Sequence, residues 1–293
     1  MKSGLGVANI FGMQMQFWSK AMFVILYLGG AASSLADVSG DLDSQAELSP
    51  FYLRVGTYVL DSSTIAAVDG LGGNLGSRLD FEDDLNLDER KNTLLAAARW
   101  RFRDRHFLEI EYFNLKRYGT KRIEEEIRFG ETVYPITAQI DSSFTTEVTR
   151  LSYAYRVVRH PDWGMALSAG LHLTRLRTVL NGTFNDDVDA PLFTRELASV
   201  TAPLPVFGLS GARRLSEKWT FLARGQWFFL EVDDVSGAIT HAAAHFEHST
   251  FDNIGLGIGY DWFDIDVELA DKLWHGTAQV RFKGPMIFVQ GSF

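Results

Sequence analysis

Apolar and polar residues alternate one for one over most of the chain, the period of a strand with one face turned to an apolar medium. Between Asn92 and Phe102 one parity carries Leu94, Ala96, Ala98, Trp100 and Phe102, the other Leu95, Ala97, Arg99 and Arg101. After a break at Arg103-Asp104-Arg105, Leu108, Ile110 and Tyr112 share one face while Glu109 and Glu111 share the other. The two segments predict a hairpin with an apolar side and a charged side. A second hairpin sets Thr149, Leu151, Tyr153, Tyr155 and Val157 against Arg150, Ser152, Ala154 and Arg156. It turns at His160-Pro161-Asp162-Trp163-Gly164 and returns with Leu167, Ala169, Leu171 and Leu173 opposite Ser168, Gly170, His172 and Thr174. A third runs from Ala202 to Arg213 and turns at Ser216-Glu217-Lys218. Its return carries Phe221, Ala223, Gly225, Trp227 and Phe229 on one face, with Thr220, Arg224 and Gln226 on the other.

The last part continues the rhythm, with two inversions of phase. From His241 to Ser249, Ala242, Ala244 and Phe246 oppose His241, Ala243, His245 and Glu247, and Phe251-Asp252-Asn253 forms a short turn. Ile254, Leu256, Ile258, Tyr260 and Trp262 then make an apolar row. Beyond it Ile265, Val267 and Leu269 are apolar and Asp264, Asp266 and Glu268 polar, an inversion that a bulge or a membrane boundary produces. The second inversion is at Gly284-Pro285, where the missing ladder donor of proline predicts a bulge. With a first strand from Phe51 to Leu60, ten strands are expected. The segment Asp61 to Asp88 leaves eight or twelve open: Gly70 to Gly76 reads as loop, while Ser77 to Phe81 suits a short strand. Short turns fall at one end of each strand pair and long polar segments at the other.

Residues 1-36 have the three parts of a signal peptide. Lys2 and Lys20 stand without an acid, Ala21 to Leu28 is an apolar run, and Ser34 and Ala36 are small residues at the expected cleavage point. The apolar run is shorter than the roughly 20 residues a membrane-spanning helix needs. The extra residues before Lys20 point to Met13 or Met15 as the true start. Removing the leader's two lysines takes the net charge from −9 to −11, which argues against a nucleic-acid partner. Hydrophobic content of 46% with a mean hydropathy of −0.04 suits a cylinder oily outside and polar inside. Cysteine is absent, so neither a disulfide framework nor a thiolate metal site is available. No segment after the leader is long and apolar enough for a transmembrane helix, so a membrane-embedded mature chain requires a closed barrel.

The chain ends in Met286-Ile287-Phe288-Val289-Gln290-Gly291-Ser292-Phe293, an alternating strand that runs off on an aromatic residue. It resembles the closing strand of outer-membrane β-barrels, whose assembly machinery reads such an end. The resemblance implies the barrel-assembly machinery as a partner through Phe293. From Phe51 to Phe293 the pattern resembles the small outer-membrane β-barrel proteins of the OmpA-like and OmpW-like kind. The stretch Leu79 to Leu87 also looks like one near the first loop of several members without an assigned role. What the resemblance implies is an all-β chain: a transmembrane antiparallel up-and-down β-barrel over residues 37-293, in the outer membrane of a Gram-negative cell envelope. Both termini would face the periplasm, with outer-membrane lipids and lipopolysaccharide as surroundings. The acidic run in Leu79 to Leu87 is read as a solvated loop, since it lacks the ligand spacing and turn glycine of a calcium loop.

If the apolar faces meet lipid, the opposite faces fill the interior. That interior would hold a charge network of Arg54, Arg99, Arg101, Glu109, Glu111, Arg150, Arg156, Arg224, His245, Glu247 and Asp261, beside Tyr52, Tyr58, His172 and Gln226. A three- or five-residue connection in the first hairpin would set Arg101 across from Glu109 and Arg99 across from Glu111. Such a network either plugs the lumen or lines a narrow porin-like pore. Side chains fill barrels of eight to ten strands, whereas open channels belong to those of about sixteen.

The function expected is therefore non-enzymatic, structural or adhesive or the passage of a small solute, with no cofactor. The alternative is a barrel enzyme, lipid-modifying or proteolytic, with its site at the outer rim. Ser62 or Ser63 with His241 is a candidate pair, but no Gly-x-Ser-x-Gly elbow and no His-Glu-x-x-His occurs. Parity separates His248 from His241 and His245, against a three-histidine metal site. Asp187, Asp189, Asp233, Asp234, Asp264, Asp266 and Glu268 either hold divalent cations that bridge lipopolysaccharide or keep the rim solvated, and the second account is preferred. A secreted β-sandwich is a third possibility, disfavoured by the aromatic residues on the apolar faces.

Overall fold

The computed structural model describes residues 49–70, 75–185, 191–232, 235–271 and 274–293; the leader expected over residues 1-36 lies outside the described residues. In chain order the elements are β1 (Phe51–Asp69), β2 (Leu79–Asp80), helix α1 (Phe81–Leu85), β3 (Arg90–Arg103), β4 (His106–Arg122), β5 (Ile127–Phe129) and β6 (Thr132–Tyr134). There follow β7 (Gln139–Arg159), β8 (Trp163–Asn185), β9 (Pro191–Arg214), β10 (Trp219–Val232), β11 (Val235–Phe251), β12 (Ile254–Asp271) and β13 (Trp274–Ser292).

Among the described residues ten long strands close an antiparallel barrel. Neighbours in sequence pair around the ring and β13 returns to β1, with β2 added to the β1 edge and β5–β6 forming a separate hairpin. The seam is continuous at its lower end, where Phe51 N donates to Phe293 O at 3.1 Å and Phe293 N to Phe51 O at 2.9 Å. Closure removes every long edge, which excludes the sandwich. Among the described residues no helix is long and apolar enough to cross a membrane.

The strands far outrun a bilayer. β8 has 23 residues, and at about 3.4 Å per residue and a tilt near 40° it rises about 60 Å against an apolar band of about 25 Å. This excess length explains the inverted phases. Outward residues are apolar from the short turns up to Val59, Leu94, Tyr112, Leu173 and Trp262, then become Asp61, Asn92, Asn114, Arg175 and Asp264. Ladder partners change together: Asp61 pairs with Lys283, and Glu147 with Asn114 and Arg175. Tyr112 sits at this boundary and donates its hydroxyl to Glu147 at 3.3 Å. Above the boundary the strands read like those of a soluble protein, polar outside and apolar inside.

The bulge expected at Gly284-Pro285 is therefore absent, and of the two alternatives at Trp262-Phe263 the bulge is excluded. The register of β12 with its neighbours is unbroken across Trp262 and Phe263, and that of β12 with β13 across Gly284 and Pro285. Phe263, Ile265, Val280, Phe282, Met286 and Phe288 all point inward in one phase. The surroundings invert while the strand does not. Pro285 instead leaves a gap in the β1–β13 ladder, where Val59 and Leu60 have no partners between Tyr58↔Met286 and Asp61↔Lys283. The strands pinch there, so that a Cβ on Gly284 would lie 2.0 Å from the Val59 carbonyl oxygen.

Candidate functional site

The barrel interior has two storeys. The upper storey, toward the long loops, is an apolar core in which Phe113, Phe144, Phe263, Phe282, Leu60 and Ile265 are buried. Phe113, Phe263 and Phe282 pack on one another with ring centroids 6.2–6.4 Å apart. Two loop insertions complete this core. The β5–β6 hairpin contributes Phe129 and Tyr134, and the segment after β1 contributes Phe81 and Leu85, all fully buried. The Tyr134 hydroxyl donates to Leu180 O at 3.1 Å; burial, reinforced by nearby Glu196, pushes its pKa well up.

The acidic stretch expected as a solvated loop is helix α1, and it enters the barrel mouth. Asp80 caps its N-terminus, accepting from the amides of Glu82 and Asp83 at 3.1 Å, while Asn86 closes it in the left-handed conformation at φ 54°. Three acids in the first turn suit the positive end of the helix dipole. Phe81 and Leu85 face inward, with Phe81 edge-on to Phe144 at 5.3 Å. Between them Glu82 accepts from Thr64 N at 2.7 Å and forms a buried ion pair with Arg117, whose guanidinium also donates to Thr64 Oγ1 and Asp88 O. Sequence reasoning missed Arg117, although its parity with Glu109, Glu111, Phe113 and Leu115 along β4 marks it as inward. β1 likewise continues beyond the expected Leu60 to Asp69, because these upper residues fit a strand with an apolar inner face.

The lower storey is polar and brings the inward charges together. Arg54 pairs with Glu247; Gln290 joins them, accepting from Arg54 at 3.3 Å and donating to Glu247 at 3.1 Å. Arg150 donates to Glu111 at 2.5 Å and to Gln226 at 3.1 Å, and Arg224 donates to Glu109 at 3.0 Å. The first-hairpin pairings differ from expectation. Arg99 faces Glu109, Ala97 faces Glu111 and Arg101 faces Phe107, since the register shifts between Arg101 and Arg103 and the strands join more tightly. Arg99 lies over the rings of Tyr52 and Phe107 at 5.0 and 5.4 Å, and Arg156 over Phe107 at 4.9 Å. Arg101 is half-buried on the same inward row, nearer the turn.

Asp261 joins two histidines at the floor of the upper core. Its Oδ1 lies 3.1 Å from His241 Nε2 and its Oδ2 3.0 Å from His245 Nε2. The opposite ring nitrogens face guanidinium donors, Arg150 at 3.1 Å and Arg54 at 3.2 Å. Arginine cannot accept, so each Nδ1 must, which leaves each Nε2–H to donate to Asp261. The chain Arg54–His245–Asp261–His241–Arg150 thus crosses the lumen with all four imidazole nitrogens matched. His241 was absent from the expected network. Its inward parity with His245 was legible, as was that of Asp261; that Asp261, 20 residues from one and 16 from the other, would sit between them was not.

The enzyme candidates are not assembled. Both ring nitrogens of His241 are taken, by Arg150 and Asp261, while the Ser62 hydroxyl is buried without a hydrogen-bond partner and Ser63 is exposed. His248 is apart from the lumen, bonding Thr250 at 3.1 Å and packing edge-on to Trp219. Among the described residues no cluster of three or more ligating side chains could hold a metal ion. Of the acidic rim, Asp187, Asp189, Asp233 and Asp234 lie outside the described residues. Asp264 is bound by Arg281 at 2.9 and 3.1 Å, so it is not a spare cation ligand.

No family model and no curated protein matches the chain. Among solved structures it is similar to the outer membrane protease OmpT from Escherichia coli, at 10% identity over 83% of this chain and 96% of that one, with a TM-score of 0.54. This chain has the fold of an outer-membrane β-barrel. At that identity the likeness speaks for the fold alone. Lower-scoring matches are the translocator domain of autotransporter NalP from Neisseria meningitidis and Ail from Yersinia pestis. The first has 11% identity over 98% and 96% of the two chains with a TM-score of 0.45; the second has 10% over 81% and 98% with 0.33.

Proposed function

We propose that the protein is an integral outer-membrane barrel with a closed lumen, and that it serves as a structural or adhesive element projecting its long-loop half into the medium. One observation carries this reading: the upper lumen is filled by apolar side chains of the strands together with fully buried Phe81, Leu85, Phe129 and Tyr134 of the inserted segments. An aqueous path through such a core would have to hydrate packed aromatic rings, and ten-strand barrels lack the width to pass beside them. The apolar outer belt, bounded by aromatic residues such as Trp100 and Tyr153 below and Tyr112 and Trp227 above, supports residence in a bilayer. Short turns and both ends of the barrel segment then face the periplasm, with Phe293 available to the assembly machinery. Planar-bilayer reconstitution tests the reading. The wild-type chain is expected to give no steady single-channel steps, and reproducible steps at neutral pH would refute closure.

A further inference from the structure

Below the chain that crosses the lumen is a cavity of about 100 Å³, several times the roughly 10–15 Å³ a single water needs. Its walls reach from Glu111 and Arg150 down to Gly164 and Thr220, each one residue into its strand from a short turn, so it is a vestibule toward that end of the barrel. Five guanidiniums line it, those of Arg54, Arg99, Arg150, Arg156 and Arg224. Only three carboxylates do, those of Glu109, Glu111 and Glu247. The wall therefore carries two positive charges in excess, inside a protein whose net charge is −9. Hydrocarbon around this level weakens solvent screening, so the excess is costly unless an anion balances it. Arg54 lines the vestibule, is 8% exposed, and has an Nε donor without a hydrogen-bond partner.

We propose that this vestibule binds a small oxyanion of the phosphate class, free or carried on a lipid headgroup, held by the guanidiniums from the short-turn side. Planar guanidiniums suit tetrahedral oxyanions because each presents paired donors. Above it a smaller cavity of about 20 Å³ shares Glu111 and Arg150 with it and ends against Phe113, Phe263 and Phe282 of the apolar core, which makes the vestibule a binding site rather than a passage. The inference does not rest on closure: a chain that conducted yet bound phosphate would refute the closed-lumen reading and keep this one.

The test uses the full mature chain refolded in zwitterionic detergent, with inorganic phosphate as probe and chloride at matched ionic strength as control. Phosphate is expected to raise the unfolding midpoint saturably, beyond chloride. Arg156→Gln is expected to weaken that apparent affinity at least tenfold, while Arg281→Gln on the outer surface leaves it unchanged. Should Arg156→Gln fail to fold, Glu109→Gln decides, since removing a carboxylate that competes for Arg224 should tighten phosphate binding. A second arm replaces phosphate with micelles doped with phosphatidic acid against phosphatidylcholine. Stabilisation there alone assigns the site to a lipid headgroup. If neither probe acts beyond chloride, or if Glu109→Gln leaves binding unchanged, the proposal is overturned.

Discussion

Replacing Glu82 by Ala isolates what holds α1 in the barrel mouth. Arg117 has a side chain with no exposure and Glu82 one that is 8% exposed, so Glu82→Ala leaves a guanidinium deep in an apolar core with only Thr64 and the Asp88 carbonyl for company. Breaking a buried pair from one side costs about 3–5 kcal/mol, because the surviving charge stays desolvated. The Thr64 amide loses its acceptor as well. All of this falls on the docked state of α1 and little on the undocked one, where Arg117 can find water. The equilibrium for local opening should thus rise by about two to nearly four orders of magnitude. Hydrogen exchange of the Leu87 amide, which donates to Phe81 O at 3.0 Å, reports that opening directly. A cycle of Glu82→Leu, Arg117→Met and the double variant Glu82→Leu/Arg117→Met separates the pair from its surroundings, and the double variant should regain most of the protection. Unchanged exchange in Glu82→Ala, or a double variant no better than either single one, would refute the account of the ion pair as the latch.

Other consequences follow from the placement of the membrane and the seam. Ile258→Arg puts a charge on the lipid face and should lower folding stability by about 2–4 kcal/mol in bilayer titrations, whereas Asp266→Arg, four positions higher on the same outward row of β12, should change it by less than about 1 kcal/mol. Equal costs would displace the proposed boundary. Gly284→Val should reduce the yield of heat-modifiable barrel, since its Cβ would meet the Val59 carbonyl at 2.0 Å and neither backbone can yield without parting the ladder. Normal yield with an unshifted midpoint would show that the pinch is not rigid. Asp261→Ala strips two imidazole donors of their acceptor and should destabilise by about 1–3 kcal/mol for each one left unmatched. Asp261→Asn, which keeps one acceptor oxygen, should fall between, and a neutral Asp261→Ala in denaturant titration would mean water replaces the carboxylate. Phe293→Ser keeps the backbone bonds to Phe51 but should lower assembly in cells while leaving refolding in detergent intact; equal loss in both settings would assign Phe293 to stability instead.

Strand pairing order, outward and inward faces and the membership of most of the inner charge network were legible in the chain, because alternation is local and each parity reports its own face. Arg54, Glu111, Arg150, Arg224, Glu247 and Asp261 could all be assigned inward from their neighbours alone. Who pairs with whom could not. Glu109 meets Arg224 across 115 residues, and the tighter connection after Arg103 moved the first-hairpin register. Height was also invisible: a phase inversion looks the same whether a bulge rotates the strand or the medium outside changes. Only strand lengths beyond a bilayer's needs, with the register of β12 to its neighbours unshifted through Trp262 and Pro285, decided for the medium. The acidic run after β1 shows the same limit most sharply. Its composition belongs on a surface, and it became a plug because closure of the barrel set Arg117 where Glu82 arrives, a juxtaposition that no local pattern encodes.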